Sequence, residues 1–122
     1  MDSCDVLVVG GGPAGSTCAG RLKQAGLDVL LLDRETFPRQ KPCAGWITPA
    51  VMELLGVDGE EYRRGRVLQD ISGFRTGLID GPGLVTRYGA TVSYGILRSE
   101  FDHYLLQRSG VRQALGEPVT TL

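Results

Sequence analysis

Asp5-Val-Leu-Val-Val-Gly-Gly-Gly-Pro-Ala-Gly15, followed by Asp28-Val-Leu-Leu-Leu-Asp33, decides the fold of this chain. The first run is short, β-branched and closed by glycines, which reads as a buried parallel strand over 5–9. Pro13 stands at the first position of a helix, where its missing N–H costs nothing. Ala14, Cys18, Ala19, Leu22 and Ala25 then recur at helical spacing and are expected to face the core until Gly26 ends the element. Asp28 to Asp33 reads as a second buried strand. Strand, helix and strand are complete by residue 33, and such a crossover is almost always right-handed.

The turn between strand and helix, Gly10-Gly-Gly12-Pro-Ala-Gly15, is a G-x-G-x-x-G in the strand-turn-helix context that gives the motif meaning. Gly10 permits the tight turn, Gly12 lets a pyrophosphate approach the backbone, and Gly15 lets the helix lie close to the strands. The N–H groups of the helix start and its positive dipole end favour phosphate charge without a lysine. Asp33, at the end of the second strand, is placed to accept hydrogen bonds from the hydroxyls of an adenosine ribose and to repel a 2′-phosphate. FAD or NAD is therefore expected over NADP, although Arg34 beside it is a group that could serve a phosphate. A glycine-rich turn with no ligand is the competing reading.

Working outward, residues 34–47 hold Pro38, Pro42 and Gly45 without periodicity and read as an ordered loop. Thr48 is expected to cap a helix that starts at Pro49 and stops at Gly56. From Val67 to Tyr94, brief alternating stretches broken by glycines suggest antiparallel hairpins. Ser99 and Asp102 have the spacing of a capping box, opening a helix with Phe101, Tyr104 and Leu105 on one face up to Gly110. His103 is expected at the surface, and Tyr104 and Trp46 in packing roles. The segment Gly116 to Leu122 reads as the start of a further strand.

The totals narrow the function. A length of 122 residues fits one domain, and 42% apolar with 22% charged residues is ordinary globular usage. Thirteen Lys+Arg against fourteen Asp+Glu leave a net charge of −1, so nucleic acid is not expected as a partner. The run from Val6 to Val9 is too short to cross a bilayer, so no transmembrane segment is expected, and acidic Asp2 and Asp5 stand where a signal peptide carries basic residues. A cytoplasmic protein with reduced Cys4, Cys18 and Cys43 is expected. One histidine and no metal-spaced cysteines give no reason to propose a metal site.

The string Val8-Val-Gly-Gly-Gly-Pro-Ala-Gly-Ser16, with Asp33-Arg34, resembles the opening of the flavoprotein superfamily that includes para-hydroxybenzoate hydroxylase. Phe37-Pro-Arg-Gln-Lys-Pro-Cys-Ala-Gly45 and Ile96-Leu-Arg-Ser-Glu-Phe-Asp102 most resemble the geranylgeranyl reductase family, whose members saturate prenyl chains with FAD. Ala44 stands where that family usually has glycine. The resemblance implies an α/β, Rossmann-like FAD-binding βαβ unit with an inserted antiparallel β-hairpin region. It assigns FAD as cofactor, with Gly10, Gly12, Pro13, Ala14, Gly15, Asp33, Arg34, Cys43, Ala44, Gly45 and Arg98 as its binding residues.

Cys43, near Arg39 and Lys41, would be a reactive thiol meeting substrate beside the flavin, with a small packed residue as the even alternative. Cys18 reads as core only. The function implied is hydride transfer through FAD to an alkene of a prenyl chain, with NAD(P)H or another donor supplying electrons and a small-molecule or prenyl-lipid substrate. Transient peripheral membrane contact would follow from a lipid-like substrate. An FAD-dependent monooxygenase or halogenase, a NAD-binding module, and a truncated, non-catalytic nucleotide-binding module are the other readings. A second FAD motif, a Gly-Asp pair, has no counterpart before Leu122, so residues 1–122 are expected to be an incomplete N-terminal FAD-binding domain, a fragment of a longer flavoprotein.

Overall fold

The computed structural model describes residues 3–121. The chain divides into two compact units, Met1–Pro42 with Arg98–Leu122 and Cys43–Leu97. The first holds β1 (Val6–Val9), α1 (Pro13–Gln24), β2 (Val29–Asp33), and, after the second unit, a helix Arg98–Ser109 and a strand Arg112–Leu115. The second holds β3 (Trp46–Ile47), α2 (Pro49–Leu55), α3 (Gly59–Tyr62), β4 (Leu68–Ile71), β5 (Gly73–Gly77), β6 (Gly83–Arg87) and β7 (Ser93–Ile96). In chain order the last helix and strand are α4 and β8.

The first unit is built on a parallel sheet in the order β1-β2-β8. Val6 pairs with Val29 and Val9 with Leu32, while Leu30 pairs with Arg112 and Asp33 with Leu115. Its core is Ala19, Val29, Leu31, Leu106 and Val111, against which Val6, Val8, Leu22, Phe37 and Leu115 pack. Burying each of the branched side chains contributes about 1.5–3 kcal/mol. The α/β reading of the sequence holds, with three corrections.

The strand expected from Gly116 onward is instead β8, which ends at Leu115, and Gly116 adopts φ +79°. Leu122 lies outside the described residues. The first strand is covered on one face only, and there in part. Val6 and Val8 reach the core, whereas Leu7 and Val9 are exposed, because side chains alternate across a strand and only one side of β1 meets the helices here.

The phase of α1 is also corrected. Ser16 and Ala19 are its buried residues, and Cys18 is exposed. A Cβ on Gly15 would lie 1.8 Å from the Gly10 carbonyl oxygen, and one on Gly20 would lie 3.3 Å from Cα of Ser109 in α4. The face of α1 that approaches its neighbours is therefore made of small residues, and the apolar letters Ala14 and Cys18 fall on the outer side.

In the second unit Thr48 precedes α2 in extended conformation, without a side-chain cap bond, and Gly56 ends the helix in the left-handed region at φ +58°. The Asp58 carboxylate accepts the N–H groups of Glu60 and Glu61 at 2.8 and 3.3 Å, which starts the short α3 that the sequence pattern did not announce. The antiparallel expectation for 67–94 holds. β5 and β6 form a hairpin in which Gly73 pairs with Arg87 and Gly77 with Gly83. Flanking them, β4 pairs with β7, and β7 also pairs with β3, so Trp46 and Ile47 belong to a strand and not to the loop. Trp46 makes an edge contact with Phe74 at 5.1 Å between ring centroids, which gives it the packing role expected.

Candidate functional site

The site grows out of the end of β1. Gly10 takes φ +107°, a conformation that side chains disfavour, and its N–H donates to the Leu32 carbonyl at 2.7 Å, tying the turn to β2. Gly12 caps α1 in extended conformation and brings no side chain. Pro13 then occupies the first helical position, and no acidic residue stands in the first turn. Gly15 could not carry a Cβ, since the Gly10 oxygen fills that place. These three glycines thus do the separate jobs that a bare, close turn requires. Ser16 fastens it: its hydroxyl donates to the Gly11 carbonyl at 2.9 Å, and its N–H donates to the Gly12 carbonyl at 2.9 Å.

Asp33 closes the other side. It is 9% exposed, and its carboxylate accepts the Gly11 N–H at 2.6 Å and the Glu35 N–H at 2.8 Å. Two N–H bonds use about half of the acceptor sites of a carboxylate, which leaves lone pairs for two hydroxyls. The sequence led to the expectation of Asp33 beside a ribose from its position at the end of β2; in the structure its carboxylate holds the turn. Arg34, next to it, is 77% exposed and lies 3.5 Å from Glu35. Such a surface pair contributes little, and the side chain is directed to solvent.

Arg98 was expected just before a capped helix. It is instead the first residue of α4, so Ser99 falls inside the first turn and the capping box does not form. Asp102 has a different partner. Fully buried, it accepts Arg98 Nε at 2.7 Å and Nη2 at 2.9 Å, a bidentate pair across one helical turn. A buried carboxylate needs a charged partner more than a terminal N–H needs a cap, and the i,i+4 spacing supplies one.

Arg39 joins this pair, with Nη1 3.1 Å from Asp102 Oδ2, and its guanidinium lies 4.7 Å from the centre of the Phe37 ring. Arg39 was not among the sequence candidates, and Asp102 was expected there as the capping partner of Ser99. Only the four-residue step from Arg98 to Asp102 could have announced part of this cluster.

His103, expected at the surface, is half-buried, and its Nδ1 is enclosed without a hydrogen-bond partner among the described residues. On α4, Phe101, Asp102, Tyr104, Leu105 and Leu106 are all buried, so the middle of the helix is closed to water. Cys43, Ala44 and Gly45 belong to the second unit. Cys43 and Ala44 are exposed, and Gly45 takes φ +76° with its carbonyl accepting the Ile96 N–H at 2.7 Å. Among the described residues no group of acidic, histidine or cysteine side chains could hold a metal ion, and no helix is long and apolar enough to cross a membrane.

The bare turn, the helix start free of acidic residues and the buried acceptor at Asp33 fit a dinucleotide with a pyrophosphate and an adenosine ribose. Comparison with known proteins agrees. The profile of the FAD binding domain family matches residues 3–113. A menaquinone reductase of Mycobacterium tuberculosis is 42% identical over 125 residues, covering 94% of this chain and 29% of the relative. A tryptophan 2-halogenase of Chondromyces crocatus is 35% identical over 130 residues, covering 98% of this chain and 24% of the relative. A crystal structure of a geranylgeranyl bacteriochlorophyll reductase-like protein from Thermoplasma acidophilum superposes with a TM-score of 0.84 at 23% identity over 98% of this chain and 32% of that one, a likeness of fold. The chain thus spans less than a third of the length of these relatives.

Proposed function

This chain belongs to the FAD binding domain family, with FAD as its cofactor, and from that premise we propose that it is the cofactor-binding part of a geranylgeranyl reductase-like oxidoreductase acting on a prenyl lipid. The observation that carries this reading is the 42% identity to a menaquinone reductase over 94% of the chain, set beside the geranylgeranyl reductase-like segments Phe37–Gly45 and Ile96–Asp102. FAD, when bound and reduced by the electron donor, would supply the hydride for such a reduction, and the chain's own residues supply binding and electrostatics.

In this reading Gly10, Gly12, Pro13, Ala14 and Gly15 leave the backbone open to the pyrophosphate, and the positive end of α1 faces its charge. Asp33 accepts the ribose hydroxyls and disfavours a 2′-phosphate. Arg98 contributes charge-assisted hydrogen bonds, and Arg34 serves the solvent side. Cys43, Ala44 and Gly45 are assigned to the cofactor, and Cys43 to the substrate, by the resemblance alone. The domain, residues 1–122, is read as the N-terminal portion of a longer flavoprotein located in the cytoplasm, with NAD(P)H or another donor as reductant and passing contact with membrane lipid.

The experiment is anaerobic. The flavoprotein is photoreduced and mixed with geranylgeranyl diphosphate or menaquinone, and the expected result is reoxidation of the flavin with a product that carries two added hydrogens in its prenyl chain, a quinone ring reduced to the quinol not counting as that product. The second reading, a halogenase, is favoured by the 35% identity to a tryptophan 2-halogenase. Reduced protein that leaves both prenyl compounds unchanged, yet yields chlorinated tryptophan with chloride and oxygen, would replace the first reading by the second.

A further inference from the structure

We propose that Asp102 is a positioning residue, which holds the Arg39 guanidinium at the glycine turn so that Arg39 takes up pyrophosphate charge. The inference rests on the reading of that turn as the dinucleotide site. Asp102 is fully buried, and a lone buried carboxylate is costly enough to demand a cationic partner. Arg98 already meets that demand, with two aligned hydrogen bonds at 2.7 and 2.9 Å. A second guanidinium is therefore not needed for Asp102 itself.

Arg39 comes to the same carboxylate on different terms. Its Nη1 lies 3.1 Å from Oδ2 but forms no aligned hydrogen bond, so charge and placement hold it and its donors are not consumed there. The side chain is 14% exposed and stacks over Phe37 at 4.7 Å. Phe37 in turn covers the turn: a Cβ on Gly11 would meet its ring at 3.0 Å.

The other end of the guanidinium marks the target. Among the described residues, and apart from Gly12 and its two chain neighbours, Nη2 of Arg39 is the one heavy atom within 4 Å of the place where a Cβ on Gly12 would stand, at 3.6 Å. Gly12 is the position whose missing side chain lets a pyrophosphate reach the backbone. The cluster of Arg39, Asp102 and Arg98 carries two positive charges against one negative, and Arg39 is its member beside Gly12, across the turn from the Asp33 carboxylate. A planar fork held in place by packing loses little freedom on binding a phosphate, which is why position and not charge alone decides the effect.

The test uses the full chain and titrates FAD and ADP over a range of salt concentrations, with unfolding of the nucleotide-free protein recorded in parallel. Arg39→Met is expected to weaken both ligands by roughly tenfold or more and to flatten the dependence on salt, with nucleotide-free stability little changed. Arg39→Lys should recover part of the affinity, since it restores charge without the fork. Asp102→Asn keeps Arg39 but releases it, and should reproduce the loss for FAD and ADP together while adding little to it in the Arg39→Met background, where an effect through Arg98 would still show; Asp102→Glu should restore part of it.

If Asp102→Asn lowers stability but leaves affinity and salt dependence as they were, Asp102 is structural and the inference is overturned. It is overturned equally if Arg39→Met binds FAD as the unaltered chain does. If the unaltered chain binds neither FAD nor ADP, the reading of the turn falls first and takes the role of Arg39 with it.

Discussion

The glycine turn of the first unit and the β5–β6 hairpin of the second are both rich in glycine, yet they use it differently. At Gly15 a Cβ would strike the Gly10 carbonyl at 1.8 Å, and at Gly73 it would strike the Thr86 carbonyl at 2.5 Å. The surroundings set the two apart. The turn is fastened to β2 by the Gly10 N–H, to α1 by the Ser16 hydroxyl and to Asp33 by the Gly11 N–H. Every residue of β6 is exposed, Leu84 and Val85 among them, as are Leu78 and Ile79 before it. A close backbone approach is held rigid where neighbouring groups fix it, and in the hairpin it lets two strands meet. The same kind of residue thus builds a fastened turn, the proposed cofactor site, in one unit and hairpin geometry in the other.

The largest expected effect follows from the tightest contact. Gly15→Val should cost about 3 kcal/mol or more, because backbone occupies the space on a fastened turn, and FAD binding should be lost with it. Chemical denaturation with a flavin titration checks this, and a stable variant that still binds FAD would break the contrast. Next, Leu31→Ala, at a fully buried position of β2, should cost about 2–4 kcal/mol on the same denaturation assay.

Asp33→Ala leaves the Gly11 and Glu35 N–H groups without their acceptor, so a stability loss of about 1–3 kcal/mol should accompany at least a tenfold loss of ADP affinity by calorimetry. A loss of stability with affinity intact would separate the turn's architecture from ribose recognition. At the small end, Ile79→Ser at the hairpin tip, 95% exposed, should change stability by under about 0.5 kcal/mol and leave nucleotide binding unaltered. A large effect there would show that the hairpin is coupled to the site.

What the sequence made legible follows the same division. The βαβ unit, its turn and Asp33 were readable because they depend on neighbours along the chain: a β-branched run, glycines at fixed steps and an acid at the end of the next strand. The phase of α1 was misjudged because the face of the helix that approaches β1 and α4 is made of Gly15, Ser16, Ala19 and Gly20, which no hydrophobic period reveals. The pairing of β4 with β7 joins Leu68 to Ile96 across the intervening hairpin, a non-local choice without a local signal. Arg39 and Asp102 were missed for the same reason, since the two meet only once α4 has packed. Asp102 also satisfied the spacing of a capping box with Ser99, so a local rule offered a ready but incorrect explanation. Within residues 57–94 the structure buries Val57, Tyr62, Leu68 and Ser93 around an exposed hairpin tip, a division that no local motif announces.

The most direct test of the central claim is the visible absorption spectrum of the freshly purified 122-residue protein, with any released nucleotide identified by chromatography. A flavin spectrum with FAD released, or saturable uptake of added FAD by a colourless preparation, is the predicted result. A colourless protein that takes up no FAD would contradict the account, leaving the glycine turn as a feature of the fold without a ligand.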